Sequence, residues 1–200
     1  MHLARNTNHP QKGSLIKVEP IRDVKAIRRI KKLYADKPRD LALFTFGINT
    51  AYRANEILSL KIGQISHLEP GDQLEIWQSK TRKYRSTTLN STVVAALQAW
   101  LAVHPKQTPD ATVFLSQRSR KALTVSTLNN MVKQWCKEVG LRGNYGSHTL
   151  RKTWGYHQRV QNNAAIPLLM EAFGHSTQAQ TLSYLCVQDE EIADLYTMEL

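Results

Sequence analysis

Apolar periodicity limits the possible folds most, because it is helical along most of the chain and strand-like in one short stretch. The first helical face consists of Ile21, Val24, Ile27, Ile30 and Leu33. Pro38 is a favourable start for a second helix, and the apolar segment 41–48 is expected to lie in the core. Between residues 74 and 89, two short runs flank the segment SKTRKYRS, which predicts a β-hairpin with a basic tip.

The remaining segments are predicted to be helical, apart from one further strand. A short helix is expected at about 53–60, and residues 113–115 could supply a third strand. Predicted N-caps are Ser91, Ser126 or Thr127, and Ser147. Predicted helix ends and breaks lie at Gly140 and near Pro167, Gly174 and Gln188. The expected fold class is α+β, predominantly α-helical with a small three-stranded antiparallel sheet.

The charge of the chain favours a polyanionic partner. It carries 27 Lys and Arg against 16 Asp and Glu, a net charge of +11. Neutralising phosphates releases counterions, so an excess of this size is typical of nucleic-acid-binding proteins. The distribution is uneven, since residues 161–200 contain six acidic side chains and no Lys or Arg. This acidic C-terminal region could dock onto the basic remainder of the chain, within one molecule or between neighbours, or it could simply be a solvated helix.

Several classes of protein receive no support from the sequence. No stretch approaches the roughly 20 apolar residues that span a bilayer, and the N-terminus lacks the apolar core of a secretory signal. Cys136 and Cys186 lie far apart in apolar surroundings, which favours a reduced interior over a disulfide framework. No Cys/His cluster, P-loop or acidic metal pair is visible, so no metal or nucleotide cofactor is implied. A cytoplasmic protein is expected.

Six side chains with reactive or phosphate-binding chemistry occur in a suggestive order. They are Arg53, Lys80, His148, Arg151, His175 and Tyr184. His148 and Arg151 are three residues apart and so project from one face of a helix. Taken singly, each has an ordinary structural explanation, such as a surface charge, a helix-end cap or a core tyrosine. Their order along the chain is the informative feature.

This order resembles the tyrosine recombinase (phage integrase) family. The matching segments are YRANEILSL, QSKTRKYRSTTL, SHTLRKTWG and LMEAFGHSTQAQTLSYL, which extend over residues 41–186. The resemblance implies the DNA breaking-rejoining catalytic fold over residues 21–200. Residues 1–20 are then expected to be a flexible arm or the stub of a linker.

The resemblance also implies a reaction that needs neither metal nor ATP. Tyr184 would attack a scissile phosphate in double-stranded DNA, forming a 3′-phosphotyrosine and releasing a 5′-hydroxyl, and the covalent link would conserve the bond energy for rejoining. Arg53 and Arg151 would neutralise the phosphoryl oxygens with always-charged guanidinium groups. His175 would donate a further hydrogen bond to the phosphate. His148 would accept the tyrosine proton or help hold the phosphate.

Other basic and acidic residues are expected to support this reaction. The family implies that Lys80 is the general acid for the 5′-oxygen, with Arg82 and Lys83 competing for that role and counted as DNA contacts. Glu56 is expected to orient a neighbouring catalytic side chain. Lys152, like His157, is expected to be structural or to contact a phosphate. Base-reading residues are expected among the basic segments 21–39 and 118–142.

The chain departs from the family in two respects. Many relatives carry an N-terminal helical domain that completes a clamp around DNA, whereas the helical pattern here begins near residue 21, so a short member or a fragment is expected. Tyr52 stands where the family more often has Leu, an exchange that should be tolerated.

The resemblance implies self-association on DNA, from dimer to tetramer at synapsis, with the tail 187–200 docking on a neighbouring subunit. Accessory DNA-bending proteins are candidate partners. The alternatives are a type IB topoisomerase-like enzyme and an inactive DNA-binding regulator of the same fold.

Overall fold

The computed structural model describes residues 18–78, 83–186 and 194–197, which are mostly helical. The helices are α1 (Val24–Leu33), α2 (Pro38–Asn49), α3 (Ala54–Ser59), α4 (Ile62–Ile65), α5 (Ser91–Ala102), α6 (Val125–Glu138), α7 (Ser147–Asn162), α8 (Ile166–Phe173) and α9 (Gln178–Leu185). The strands are β1 (Gln73–Gln78) and β2 (Lys83–Thr88), and a 3₁₀ turn covers Asp194–Thr197. The predicted α+β class with a helical majority is confirmed.

The described part of the chain contains a two-stranded sheet, so the predicted third strand is wrong. β1 and β2 are antiparallel and joined in register from Gln73↔Thr88 to Gln78↔Lys83. The segment 113–115 instead lies between two isolated bridges, Lys61↔Thr112 and Leu115↔Ala122. Because these bridges go to two different segments, the apolar run connects them through the core without extending the sheet.

The helix starts differ from the predicted caps by a few residues. Asn90 caps α5 and Thr124 caps α6, each accepting a hydrogen bond from a backbone N–H three residues on. Gly146 precedes α7, whose first residue is Ser147. The predicted caps Ser91, Ser126, Thr127 and Ser147 are therefore wrong, because each lies inside the first turn. The predicted ends at Gly140 and Gly174 are confirmed, whereas Gln188 lies outside the described residues.

The main core is formed by helices packed around α2. α2 contacts both α5 and α7, and α6 contacts α1 and α7. Phe44 and Trp135 meet edge to face with ring centroids 5.5 Å apart. In α1 the buried positions are Ala26 and Ile30, while Leu33 is 46% exposed. The buried face of α1 is thus rotated toward Ala26, and the prediction that Leu33 lies on this face is wrong.

A second, smaller apolar cluster holds the C-terminal helices together. Its buried members are Ala51, Leu169, Phe173 and Leu185, with Trp154 and Tyr184 packed against them. α7 approaches α8 closely at Gly155, where an added Cβ would lie 2.3 Å from the Phe173 ring. This cluster lies beside the main core and brings α7, α8, α9 and the segment before α3 to one place.

The segment before α1 is attached to α7. The Ile21 backbone N–H donates to Thr153 Oγ1 at 2.8 Å, and His157 Nε2 lies 2.9 Å from the Ile21 carbonyl oxygen. Residues 18–20 thus lie against the domain, whereas residues 1–17 of the predicted arm are outside the described residues. Within the described ranges, no helix has the length and apolar character needed to cross a bilayer.

Candidate active site

Arg53 is held at the start of α3 by a carboxylate. The Glu56 side chain accepts a hydrogen bond from the Arg53 backbone N–H at 2.6 Å and from Arg53 Nη1 at 2.9 Å. A carboxylate at the third helical position commonly pairs with the residue that precedes the helix. Glu56 is buried, while the Arg53 side chain keeps about a quarter of its surface exposed. The predicted orienting contact of Glu56 is therefore made to Arg53.

Arg151 approaches Arg53 through a shared carbonyl oxygen. Arg151 Nη2 donates to the carbonyl oxygen of Phe173, and Arg53 Nη2 donates to the same atom at 3.4 Å. Phe173 is the last residue of α8, where unpaired carbonyls carry negative partial charge. Gly174 ends the helix with φ of +61°, a conformation that favours glycine. One helix end thus holds two guanidinium groups side by side.

Arg151 is buried but not fully hydrogen-bonded. It is 3% exposed, and its Nη1 has no hydrogen-bond partner among the described residues. Burial lowers the pKa of Arg151 to about 10, and the charges of Arg53 and Arg85 act in the same direction. The guanidinium remains protonated at neutral pH, so an unsatisfied cationic donor is available for an anion.

Tyr184 lies next to His148. The Tyr184 hydroxyl is 3.4 Å from His148 Nδ1, and the two rings meet edge to face. The Tyr184 ring also packs edge to face against Phe173, with centroids 5.1 Å apart, and lies under the Arg151 guanidinium at 5.8 Å. α7 and α9 thereby place a hydroxyl, a proton acceptor and a cation together.

The pKa shifts of this pair are suited to proton transfer during an attack. Burial raises the pKa of Tyr184, although the charges of Arg151 and Arg53 oppose the change. Partial desolvation, and then the charges of Arg151 and Lys152, lower the pKa of His148. At neutral pH the phenol therefore keeps its proton and the imidazole is uncharged, so His148 can accept the proton when Tyr184 reacts.

His175 follows Gly174 and is oriented by Thr181. Its Nδ1 lies 3.0 Å from Thr181 Oγ1, and its ring stacks on Phe173 at 5.1 Å. Desolvation, followed by the charges of Arg151 and Arg53, lowers the pKa of His175 to about 4. The ring is therefore neutral at pH 7. When Nδ1 accepts a hydrogen bond from Thr181, the proton is on Nε2, which can then donate to an oxygen of a substrate.

Lys152 faces the interior of the site. It is 6% exposed, its Nζ lies 3.2 Å from Cys186 Sγ, and the same atom is 4.9 Å from the centroid of the Tyr184 ring. In this position its ammonium group contacts the Tyr184 ring. A contact between Lys152 and a DNA phosphate remains a prediction.

The hairpin residues are described only in part. Lys80 and Arg82 lie outside the described residues, and for Lys83 the structure describes the backbone, at the first position of β2. The structure thus brings Arg53, Glu56, His148, Arg151, His175 and Tyr184 together. Their chemical roles, and those of Lys80, Arg82 and Lys83, stay predictions.

Three contributing residues escaped the sequence interpretation. The Phe173 carbonyl joins the two arginines, Thr181 contacts His175, and Arg85 contacts Glu56 from β2. The alternation of β2 could have indicated Arg85, since it pairs with buried Ile76 and so points to the same side of the hairpin. A backbone carbonyl has no comparable sequence signal.

No group of three or more His, Cys, Asp or Glu side chains suited to a metal ion occurs among the described residues.

The chain is similar to known recombinases in sequence. The family model described as "Phage integrase family" matches residues 22–191. The probable integrase/recombinase YoeC of Bacillus subtilis is 30% identical over 181 residues, which cover 90% of this chain and 95% of YoeC. The tyrosine recombinase XerC of Haemophilus ducreyi is 26% identical, and the match covers 98% of this chain and 59% of XerC. The chain therefore spans nearly all of the first relative and a little over half of the second.

Solved structures show the same fold. The XerA recombinase superposes with a TM-score of 0.73 at 22% identity, over 98% of this chain and 68% of XerA. The XerH site-specific recombinase bound to palindromic difH substrate, in a post-cleavage complex, gives a TM-score of 0.74 at 23% identity, over 94% of this chain and 54% of XerH. This chain belongs to the phage integrase family and has the catalytic-domain fold of the tyrosine recombinases.

Proposed function

We propose that the chain is a site-specific DNA recombinase that cleaves and rejoins DNA strands through a 3′-phosphotyrosine at Tyr184. The observation that carries the proposal is the Tyr184 hydroxyl, which lies 3.4 Å from a neutral histidine and beneath a buried, incompletely paired arginine. A phenol beside a proton acceptor can become a nucleophile, and a cation at the same place can receive the phosphate under attack.

Each side chain then has a defined role. Arg53 and Arg151 bind the nonbridging oxygens of the scissile phosphate, and His175 donates a third hydrogen bond. His148 takes the Tyr184 proton as the phosphorus–oxygen bond forms. Lys80 gives a proton to the 5′-oxygen as the bond between phosphorus and this oxygen breaks. Preorganised donors of this kind contribute roughly 10²–10³ in rate each, so no metal is required by the scheme.

Assembly on double-stranded DNA belongs to the same proposal. The net charge of +11 favours DNA binding, and several solved relatives are DNA complexes, among them XerH on difH substrate and a lambda integrase dimer on a core site. Three exposed apolar side chains, one on each of the helices α7, α8 and α9, are the proposed contacts for a second subunit, namely Val160, Leu168 and Leu182. The acidic, half-apolar tail 187–200 of the neighbouring subunit is proposed to bind there. A cytoplasmic location is also proposed, because DNA is the substrate.

Covalent capture on duplexes of random sequence tests the proposal, because the target site then need not be specified. The purified chain is incubated with a library of randomised duplexes that carry a nick, so that cleavage releases a short strand and traps the enzyme. Protein–DNA adducts that survive denaturation are sequenced, which defines a captured duplex for later assays. Wild type should form adducts, and Tyr184→Phe should not. Absence of any wild-type adduct would favour the inactive regulator.

A second assay separates recombination from relaxation. Two captured sites are placed on one supercoiled plasmid, and products are analysed for strand exchange and for loss of supercoils. Exchange between the sites is expected. Relaxation without exchange would favour the type IB topoisomerase-like alternative.

A further inference from the structure

A third arginine, outside the residues assigned above, lies in the middle of the hairpin and faces the site. Arg85 is on β2, opposite Ile76 of β1, and its side chain is only 11% exposed. Its Nη1 lies 3.6 Å from Glu56 Oε2. Neither Nη1 nor Nη2 makes a hydrogen bond among the described residues. A buried guanidinium with two unsatisfied nitrogen atoms is costly, and such groups call for an explanation.

Glu56 lies between Arg85 and Arg53. One carboxylate oxygen accepts from Arg53 Nη1 at 2.9 Å, and the other faces Arg85 Nη1 at 3.6 Å. Burial lowers the pKa of Arg85, while the Glu56 charge opposes that shift. An arginine stays protonated under these conditions. The three side chains therefore form a row of charges, positive, negative and positive.

The row is fixed to both strands of the hairpin through Tyr52. The Arg85 guanidinium lies over the Tyr52 ring at 4.3 Å, and the Tyr52 hydroxyl donates to the Leu74 carbonyl oxygen of β1 at 2.7 Å. Tyr52 is buried and immediately precedes Arg53. A leucine at this position could make neither contact. Tyr52 thus connects both strands of the hairpin to the N-terminus of α3.

We propose that Arg85 is a positioning residue that balances the charge of Glu56 and thereby leaves the positive charge of Arg53 available to the scissile phosphate. The inference rests on the proposed function, since it concerns the same phosphate. Arg53 and Glu56 alone form a neutral pair, whose field at a phosphate is that of a dipole. With Arg85 the row carries a net charge of +1. The second carboxylate oxygen accepts from the Arg53 backbone N–H at 2.6 Å, so Arg85 acts on Glu56 through its charge at 3.6 Å and not through a hydrogen bond.

The test compares a charged and a neutral scissile group. Adduct formation by Arg85→Met is measured on the captured duplex and on the same duplex with a methylphosphonate at the scissile position, where a methyl group replaces one charged oxygen. On the phosphodiester, the variant is expected to be slower than wild type by roughly 10²-fold, the lower end of what a preorganised donor contributes. On the methylphosphonate, the two proteins should differ by less than about threefold, because this group is uncharged before attack and carries one negative charge fewer than the phosphodiester during it. Arg85→Lys should recover most of the lost rate.

A matched control separates positioning from simple loss of a buried arginine. Arg39, at the end of the basic segment 21–39, has the same side-chain exposure of 11%, but its guanidinium pairs with Asp40 at 2.6 Å and donates to the Leu115 carbonyl oxygen, so it is not available to contact bases or the scissile phosphate. Arg39→Met should slow both substrates by the same factor, if it slows them at all. Equal slowing of both substrates by Arg85→Met would overturn the proposal.

Binding of inorganic phosphate gives a readout that does not depend on cleavage. Calorimetric titration without DNA should show that Arg85→Met weakens phosphate binding by about tenfold, as expected for the loss of a charge-assisted interaction, while Arg39→Met matches wild type. Unchanged phosphate affinity in Arg85→Met would contradict the proposal, even if wild type formed no DNA adduct. Failure of the proposed function and failure of this inference are therefore distinguishable.

Discussion

The Tyr184 hydroxyl lies 3.4 Å from His148 Nδ1, so the proposed nucleophile and its proton acceptor come from different helices, α9 and α7. The two helices are held together by the small cluster around Phe173, whose ring contacts Tyr184 and whose carbonyl oxygen accepts from Arg151. Proton transfer in this site therefore depends on apolar packing as much as on the reactive groups.

The first prediction concerns pH. Because the pKa of His148 is lowered, its neutral form persists below the ordinary histidine value of 6.5. Adduct formation with subsaturating enzyme should therefore decline at a lower pH than an ordinary histidine would give. His148→Gln should lower the plateau by roughly 10²-fold or more, as for loss of a general base. An acid limb centred above pH 6.5 that vanishes in His148→Gln would contradict the lowered pKa, and an acid limb that persists unchanged in His148→Gln would contradict the role as base.

The second prediction concerns the orientation of His175. Thr181→Val keeps the shape of a fully buried side chain but removes the hydroxyl that lies 3.0 Å from His175 Nδ1. Adduct formation should slow by roughly tenfold, the value of about one hydrogen bond. Thr181→Ser retains the hydroxyl and should stay close to wild type. Equal rates for the valine and serine variants would show that Thr181 does not orient the ring.

The third prediction concerns the close approach of α7 and α8. The Cβ of Gly155→Ala would lie 2.3 Å from the Phe173 ring and 3.0 Å from Leu185. Overpacking of this kind costs about 1–3 kcal/mol of unfolding free energy. Since Phe173 holds both arginines, adduct formation should fall further than stability alone explains. Gly63→Ala, which meets Pro109 at 3.0 Å far from the site, is the control and should leave cleavage by the folded protein unchanged. Thermal unfolding and single-turnover cleavage measure the two effects.

The sequence predicted the helical majority and the reactive side chains better than it predicted their connections. Helical periodicity located α1, because an apolar stripe must face a core, and start signals such as Pro38 and Ser147 located α2, α5, α6 and α7 to within a few residues. The prediction of a strand at 113–115 is wrong, because a short apolar run is equally suited to a buried connection. The predicted N-caps of α5 and α6 are wrong because the observed caps, Asn90 and Thr124, precede serine or threonine residues that are also favourable caps.

In the site, too, the sequence identified the reactive side chains but not the contacts that hold them together. Motif order was enough to select Arg53, Arg151, His175 and Tyr184, and the structure brings these together. Motif order could not show that a backbone oxygen at Phe173 joins the arginines, because that contact depends on where α8 ends. Arg85 was missed because a basic residue in a basic hairpin resembles a surface charge until strand register is known.

The fourth prediction concerns assembly. Deletion of residues 187–200 should impair recombination between two captured sites more than binding to one site, because the tail is proposed to dock on a neighbouring subunit. Leu168→Glu, at a position that is 68% exposed, should reproduce this pattern by charging the proposed receptor surface. Gel-shift and plasmid recombination assays give the two quantities. Equal loss of binding and recombination in the deletion would count against docking.

The identity of the nucleophile is the central claim, and mapping the covalent adduct tests it most directly. Residues 161–200 contain no Lys or Arg, so a tryptic peptide from this region would hold both Tyr184 and Tyr196. Cleavage after Glu171 and Glu190 instead isolates Tyr184 as the single tyrosine. Mass spectrometry of the trapped adduct should place the DNA fragment on that peptide, and Tyr184→Phe should form no adduct. DNA on any other peptide, or an adduct formed by Tyr184→Phe, would contradict the account.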